Sequence, residues 1–188
     1  MTNHHWDSIE GEHLVTDPQK VKRLAEARED ENWDFRDWIR LEFGFDDERL
    51  MSVVNALTEE ITAQIDCTQC ANCCRMTTTR VEDNDMARLA AALDMSIPDL
   101  REMYLIYVED EGGYWQLPAP CPLLEENLCS VYEARPTACR EYPFLHNDFR
   151  AHSISRIRNT FICPIVFNVV EELKDALGWP RRNRWRRS

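Results

Sequence analysis

Four cysteines packed into Cys67-Thr-Gln-Cys70-Ala-Asn-Cys73-Cys74 constrain this 188-residue chain more than any other feature, and four more, Cys121, Cys129, Cys139 and Cys163, follow singly. What they can be depends first on the compartment. The N-terminus, Met-Thr-Asn-His-His-Trp-Asp, has neither a basic segment nor an apolar one, so no secretory leader is visible. A cytoplasmic location is therefore expected, where stable disulfides are rare and cysteines serve as ligands or redox groups. The longest apolar stretch, near Phe161–Val170, is interrupted by Asn168 and too short to span a bilayer, so no membrane insertion is expected.

The spacing points to a metal. Two residues between cysteines let a tight turn aim both sulfurs at one centre while backbone N–H groups bond the thiolates. The C-x2-C-x2-C register resembles the run of bacterial ferredoxins, in which a remote cysteine completes the cluster. Thr77 occupies the usual nearby fourth position, so the fourth ligand must come from elsewhere, and Cys163-Pro164 and Cys121-Pro122 are both candidates. A structural zinc would more often show two C-x2-C knuckles, although single cysteines can also close a four-thiolate zinc site. The expected cofactor is an iron–sulfur cluster of the 4Fe-4S type or Zn2+, with the spacing leaning towards iron. Cys73 and Cys74 cannot easily share one mononuclear ion, because neighbouring residues point apart on a strand and do not share a helix face. Either one is a non-ligand or the eight cysteines divide between two sites, in a partition that spacing leaves open. The competing reading makes Cys129 or Cys163 a small buried hydrophobe.

Around the cysteines the chain reads as mainly α with a small irregular β element. Asp17-Pro18 opens a polar helix to about Glu31; Trp33–Phe45 holds a short helix ended by Gly44. Leu50, Val54, Leu57, Ile61 and Ile65 form one face of a helix from about Asp47 to Ile65, an ordinary core face rather than a docking stripe. Further helices are expected over Asp85–Leu93, from a Ser96/Asp99 capping box to about Leu105, and over Val166–Leu177 before Gly178. Gly112-Gly113 leads into a short strand, and Pro118–Pro143 reads as loops held by coordination. The expected organisation is an N-terminal helical extension over residues 1–66 packing on the core, a compact cysteine-rich domain over 67–178 and a basic Trp/Arg tail over 179–188.

The net charge of −12 argues against a general nucleic-acid binder, and the five arginines of the tail read as a solvated end. With only five glycines the chain has no phosphate-cradling loop, and G-x-S-x-G, H-E-x-x-H and C-x3-C-x2-C are all absent.

A second block, Cys129-Ser-Val-Tyr-Glu-Ala-Arg135-Pro136-Thr-Ala-Cys139-Arg140-Glu-Tyr142-Pro143, joins the first run, Cys121-Pro-Leu-Leu124 and Cys163-Pro164. Together they resemble the YkgJ-like cysteine-cluster family of zinc- or iron-chelating domains, over about Cys67 to Pro164. The resemblance puts all eight cysteines on family positions and implies metal ligation by each. The cysteine chemistry points to an accessory or redox metal protein, open to a protein partner, and leaves two alternatives. One is an enzyme modifying a protein side chain, by analogy with flagellin lysine N-methylase; the other is a purely structural zinc protein. Arg135 and Arg140 either balance the charge of a thiolate-bound centre or pair with Glu133 or Glu141 to fix the loop. Tyr132 and Tyr142 read as packing against the centre; His4, His5, His13, His146 and His152 read as ordinary histidines.

Overall fold

Helix starts follow the capping chemistry of the sequence. The computed structural model describes residues 14–41, 43–44 and 46–180, and in it α1 (Pro18–Ala27) begins where the Asp17 carboxylate accepts the Lys20 N–H at 2.6 Å. The helix ends earlier than Glu31, because Arg28 leaves helical geometry and α2 (Glu29–Leu41) starts at once. Glu29, Asp30 and Glu31 fill the first turn of α2, where negative charge favours a new helix start. Trp33, expected to open a separate short helix, therefore lies inside α2. Asp46 caps α3 (Asp47–Thr62), whose Leu50, Val54 and Ile61 are buried, so this stripe is a core face.

The cysteine run forms two single turns, α4 (Cys67–Cys70) and α5 (Asn72–Met76), neither of which periodicity could reveal. Next come β1 (Thr79–Val81), α6 (Asp83–Ala92) and α7 (Ile97–Tyr104), the last started by the Ser96 hydroxyl accepting Asp99 N–H at 3.3 Å. Strands β2 (Ile106–Val108) and β3 (Tyr114–Leu117) complete an antiparallel sheet in the order β1-β3-β2, with Arg80 opposite Gln116 and Tyr107 opposite Trp115. The loop region then holds the hairpin β4 (Leu124–Glu125) and β5 (Leu128–Cys129), followed by α8 (Thr137–Glu141). The chain closes with α9 (Ser153–Asn159) and α10 (Pro164–Ala176), with Pro164 at the first turn and Gly178 at φ +68° beyond the end. The molecule is mainly α with a small β element, as the sequence leads one to expect. Among the described residues, no helix is long and apolar enough to cross a membrane.

Two hydrophobic clusters bracket the cysteine run. The first joins Phe35 and Ile39 of α2, Leu50 and Val54 of α3, Ile157 of α9 and Val166, Val169 and Leu173 of α10. The second joins Val81, Met86, Leu89, Leu100, Leu117, Leu123 and Val131. Residues of the N-terminal helices thus share one core with α10. Trp179, at the start of the basic tail, also packs there, edge-on to Phe35 at 5.5 Å. Fully buried Lys174 ties α10 to α2, donating to Asn32 Oδ1 at 2.6 Å and to Glu31 and Glu171 at 2.9 and 2.6 Å. Burying a charge costs least where it is paired and hydrogen-bonded in this way.

Candidate metal centre

Each cysteine reaches the centre from a different local device. Asp66 caps α4, accepting the Thr68 N–H at 2.9 Å, which sets Cys67 and Cys70 three residues apart on one turn. Ala71 then takes a left-handed conformation at φ +47° and redirects the chain into α5 with Cys73 and Cys74. Asn72 Nδ2 donates to the Ile162 carbonyl at 2.7 Å, pinning α5 beside Cys163, the residue that opens α10. On the other side Cys121 N–H donates to the Cys74 carbonyl at 2.8 Å. Cys129 ends the β4–β5 hairpin, and Cys139 lies on α8 with its sulfur 3.6 Å from the Thr79 hydroxyl. Arg75 fastens the hairpin turn to the cysteine run, donating to the Cys70 and Glu126 carbonyls at 2.9 and 2.6 Å.

None of the eight cysteines is in a disulfide. Six of them, Cys67, Cys73, Cys74, Cys121, Cys129 and Cys139, line one cavity of about 720 Å³; Cys70 and Cys163 stand outside its wall. Among the described residues, no three Cys, His, Asp or Glu side chains are grouped closely enough to hold one ion. Thr77, in the place of a nearby fourth ligand, turns its hydroxyl to the Cys73 carbonyl at 2.7 Å.

Burial raises the thiols of Cys121 and Cys129, against N–H groups two residues on, Leu123 and Val131, that favour the thiolate. Burial likewise pushes Cys139 up to about 11 against the Thr79 contact, and Cys163 up to about 11 against the N–H groups of Val166 and Ile165. Although Cys67 as a residue is exposed, partial desolvation of its sulfur and then the charges of Cys70 and Asp66 raise it too. The adjacent thiols of Cys73 and Cys74 act on each other, which raises Cys73 and lowers Cys74, and Arg135 and Arg75 lower Cys74 further. The Tyr142 hydroxyl is buried and makes no hydrogen bond of normal geometry; it faces the Cys163 sulfur, with Cys73 and Cys70 also acting on it. The N–H groups of Leu123, Val131, Ile165 and Val166 favour the thiolate forms of Cys121, Cys129 and Cys163, as donors beside metal-held thiolates do.

Arg135 lines the cavity and lowers the thiols of Cys67, Cys74 and Cys129. Its guanidinium lies 3.4 Å from the Tyr132 ring centre and donates to the Tyr132 carbonyl at 2.8 Å. Arg140 donates to the carbonyls of Arg135, at 3.0 Å, and of Glu133. Both arginines thus fix the loop through carbonyls, not through the expected carboxylates of Glu133 or Glu141. His152 borders the cavity, whereas His146 meets Asn55 of α3 at 3.2 Å. His4, His5, His13 and the tail arginines from Arg181 lie outside the described residues.

Sequence reasoning missed Asp85. Its carboxylate, 1% exposed, accepts the Thr137 N–H at 3.1 Å, the Thr137 hydroxyl at 2.9 Å and Arg88 at 2.5 Å, while its other oxygen takes the Glu82 N–H at 3.2 Å. One side chain thereby caps both α6 and α8, two residues before Cys139. The spacing from Glu82 to Asp85 signals only the first of these roles.

The family model for CxxCxxCC, described as "Putative zinc- or iron-chelating domain", matches residues 66–160. The chain belongs to the CxxCxxCC family. The match takes in every cysteine except Cys163, whose neighbour Ile162 accepts the hydrogen bond of Asn72 from the family segment. No curated protein and no solved structure matches the chain.

Proposed function

We propose that this CxxCxxCC protein binds iron–sulfur cluster through its eight cysteines, in an accessory or redox role. The observation that carries the reading is the cavity of about 720 Å³ walled by six cysteines. A space of that size between thiols admits a cluster of iron and bridging sulfide. The C-x2-C-x2-C register supports the same choice. Arg135 supports it through charge: its guanidinium faces the thiols of Cys67, Cys74 and Cys129 and would offset the negative charge of a thiolate-ligated cluster. Arg140 holds the backbone that carries Arg135. When bound, such a cluster supplies one-electron chemistry or a rigid cross-link; the chain's residues supply thiolates, hydrogen bonds to sulfur and a partly desolvated wall.

Protein purified and handled without oxygen should carry iron with equimolar acid-labile sulfide and absorb in the visible. Stoichiometric zinc, with no iron taken up after anaerobic reconstitution, would replace the cluster with a zinc site on the same ligands.

A further inference from the structure

The hydrophobic clusters, the hydrogen bonds and the helix geometry divide the cysteines in the same way. Cys163 lies inside the first cluster, with Ile65 just ahead of Cys67 and Tyr142 packed against it. Cys121 and Cys129 pack against the second. Cys139 meets Thr79 on β1, the strand that carries Val81 into that second cluster. The cysteine run lies between the two. Asn72 binds it to Ile162 and so to Cys163, while the Cys74 carbonyl binds it to Cys121. Within α5, Cys73 and Cys74 are successive residues of one helical turn, about 100° apart around the axis.

We infer that the cysteines form two four-thiolate sites, Cys67, Cys70, Cys73 and Cys163 in one and Cys74, Cys121, Cys129 and Cys139 in the other, divided at the Cys73–Cys74 peptide bond. The partition rests on the chelation reading above and assigns each residue of the run a side. Four ligands to a site complete the count: Cys121, Cys129 and Cys139, on the side of the second cluster, need one residue of the run, and Cys74 is the one whose carbonyl holds Cys121. Cys67 and Cys70, which share one turn, and Cys73, beside the Asn72 that reaches Ile162, are left with Cys163. All four of the second set line the cavity, whereas the first set shows it only Cys67 and Cys73. Each set has the ligand number of one tetrahedral zinc or one four-iron cluster.

The test loads the reduced full-length chain anaerobically, either with Zn2+ or with ferrous iron and sulfide. Unprotected thiols are then blocked with a maleimide, and the modified cysteines are located by mass spectrometry. Fully loaded wild type should protect all eight. Loaded Cys163→Ser should protect Cys74, Cys121, Cys129 and Cys139 alone and hold half the metal; loaded Cys139→Ser should protect Cys67, Cys70, Cys73 and Cys163 alone. Should either variant lose the wild-type circular dichroism, half-loaded wild type takes its place, and molecules with one occupied site should show one of these two sets. A protected set that mixes the two, or a folded serine variant that loses all protection, overturns the partition while chelation stands. No metal uptake under either condition overturns chelation itself, and the partition with it.

Discussion

Tyr142 is the residue whose chemistry can be isolated most cleanly. Its buried hydroxyl makes no hydrogen bond of normal geometry, and the Cys163 sulfur beside it is the acceptor that a metal-bound thiolate would offer. Tyr142→Phe removes one oxygen and keeps the ring, so the fold should survive. Metal affinity in the set containing Cys163 should fall roughly tenfold, the usual scale for losing a hydrogen bond to a ligand. Competition with a chelator measures this, and an unchanged affinity would mean that the O–H does not support the sulfur. Ala71 poses a backbone question instead. At φ +47° it already holds a conformation that costs a residue with a Cβ about 1–2 kcal/mol. A β-branched side chain tolerates this poorly, so Ala71→Val should weaken metal binding at both C-x2-C turns, whereas Ala71→Gly should be near neutral. Equal metal content in the two variants would contradict this. The eight cysteines and Tyr142 stood out in the sequence through their spacing. Asn72 and Thr79 were not, because their partners lie 90 and 60 residues away and no local pattern encodes such pairs.

Among the elements, α6 and α8 start on a shared carboxylate. Asp85→Ala leaves the first N–H of α8 and the Thr137 hydroxyl without their acceptor, at a cost of about 2–4 kcal/mol. Denaturation of the loaded protein should show that loss, together with easier blocking of Cys139. Burial works against the Asp85 carboxylate, yet hydrogen bonds from Glu82, Thr137 and Arg88 together hold it below the usual carboxylate range. Its stabilisation is therefore complete above the unfolded value near 4 and lost as pH falls through the lower folded value. The Asp85→Ala penalty should shrink on acidification; a penalty independent of pH would show that the carboxylate does not act as the cap. The longer helices were readable from their apolar periodicity and N-caps, α3 and α7 most of all. The single turns α4, α5 and α8 were not, since four or five residues give no period and their stability comes from Asp66, Asp85 and the cysteine contacts. The three-stranded sheet escaped in part because β1 and β2 are three residues each and β1 pairs with β3 far along the chain, Thr79 opposite Leu117.

At the scale of the whole molecule, two hydrophobic clusters are joined through a cysteine-lined seam. Thiols that burial raises above their ordinary value are protonated near neutrality, so metal must displace those protons. Affinity should rise with pH by about tenfold per unit for each proton displaced, and for Cys139 and Cys163 the rise should continue to about 11. Competition titrations from mildly acid to alkaline pH read this directly, and a flat profile would contradict thiolate ligation. Loss of metal should also open residues 118–143 to protease before α3, because α3 rests on α10 and the first cluster while the loop depends on its sulfurs. The measurement closest to the central claim is X-ray absorption at the edge of whatever metal the anaerobically loaded protein carries. Thiolate chelation predicts a first shell of sulfur, at about 2.3 Å if the metal is zinc, with a metal–metal shell beyond it if the metal is iron in a cluster. A first shell of oxygen or nitrogen would contradict it.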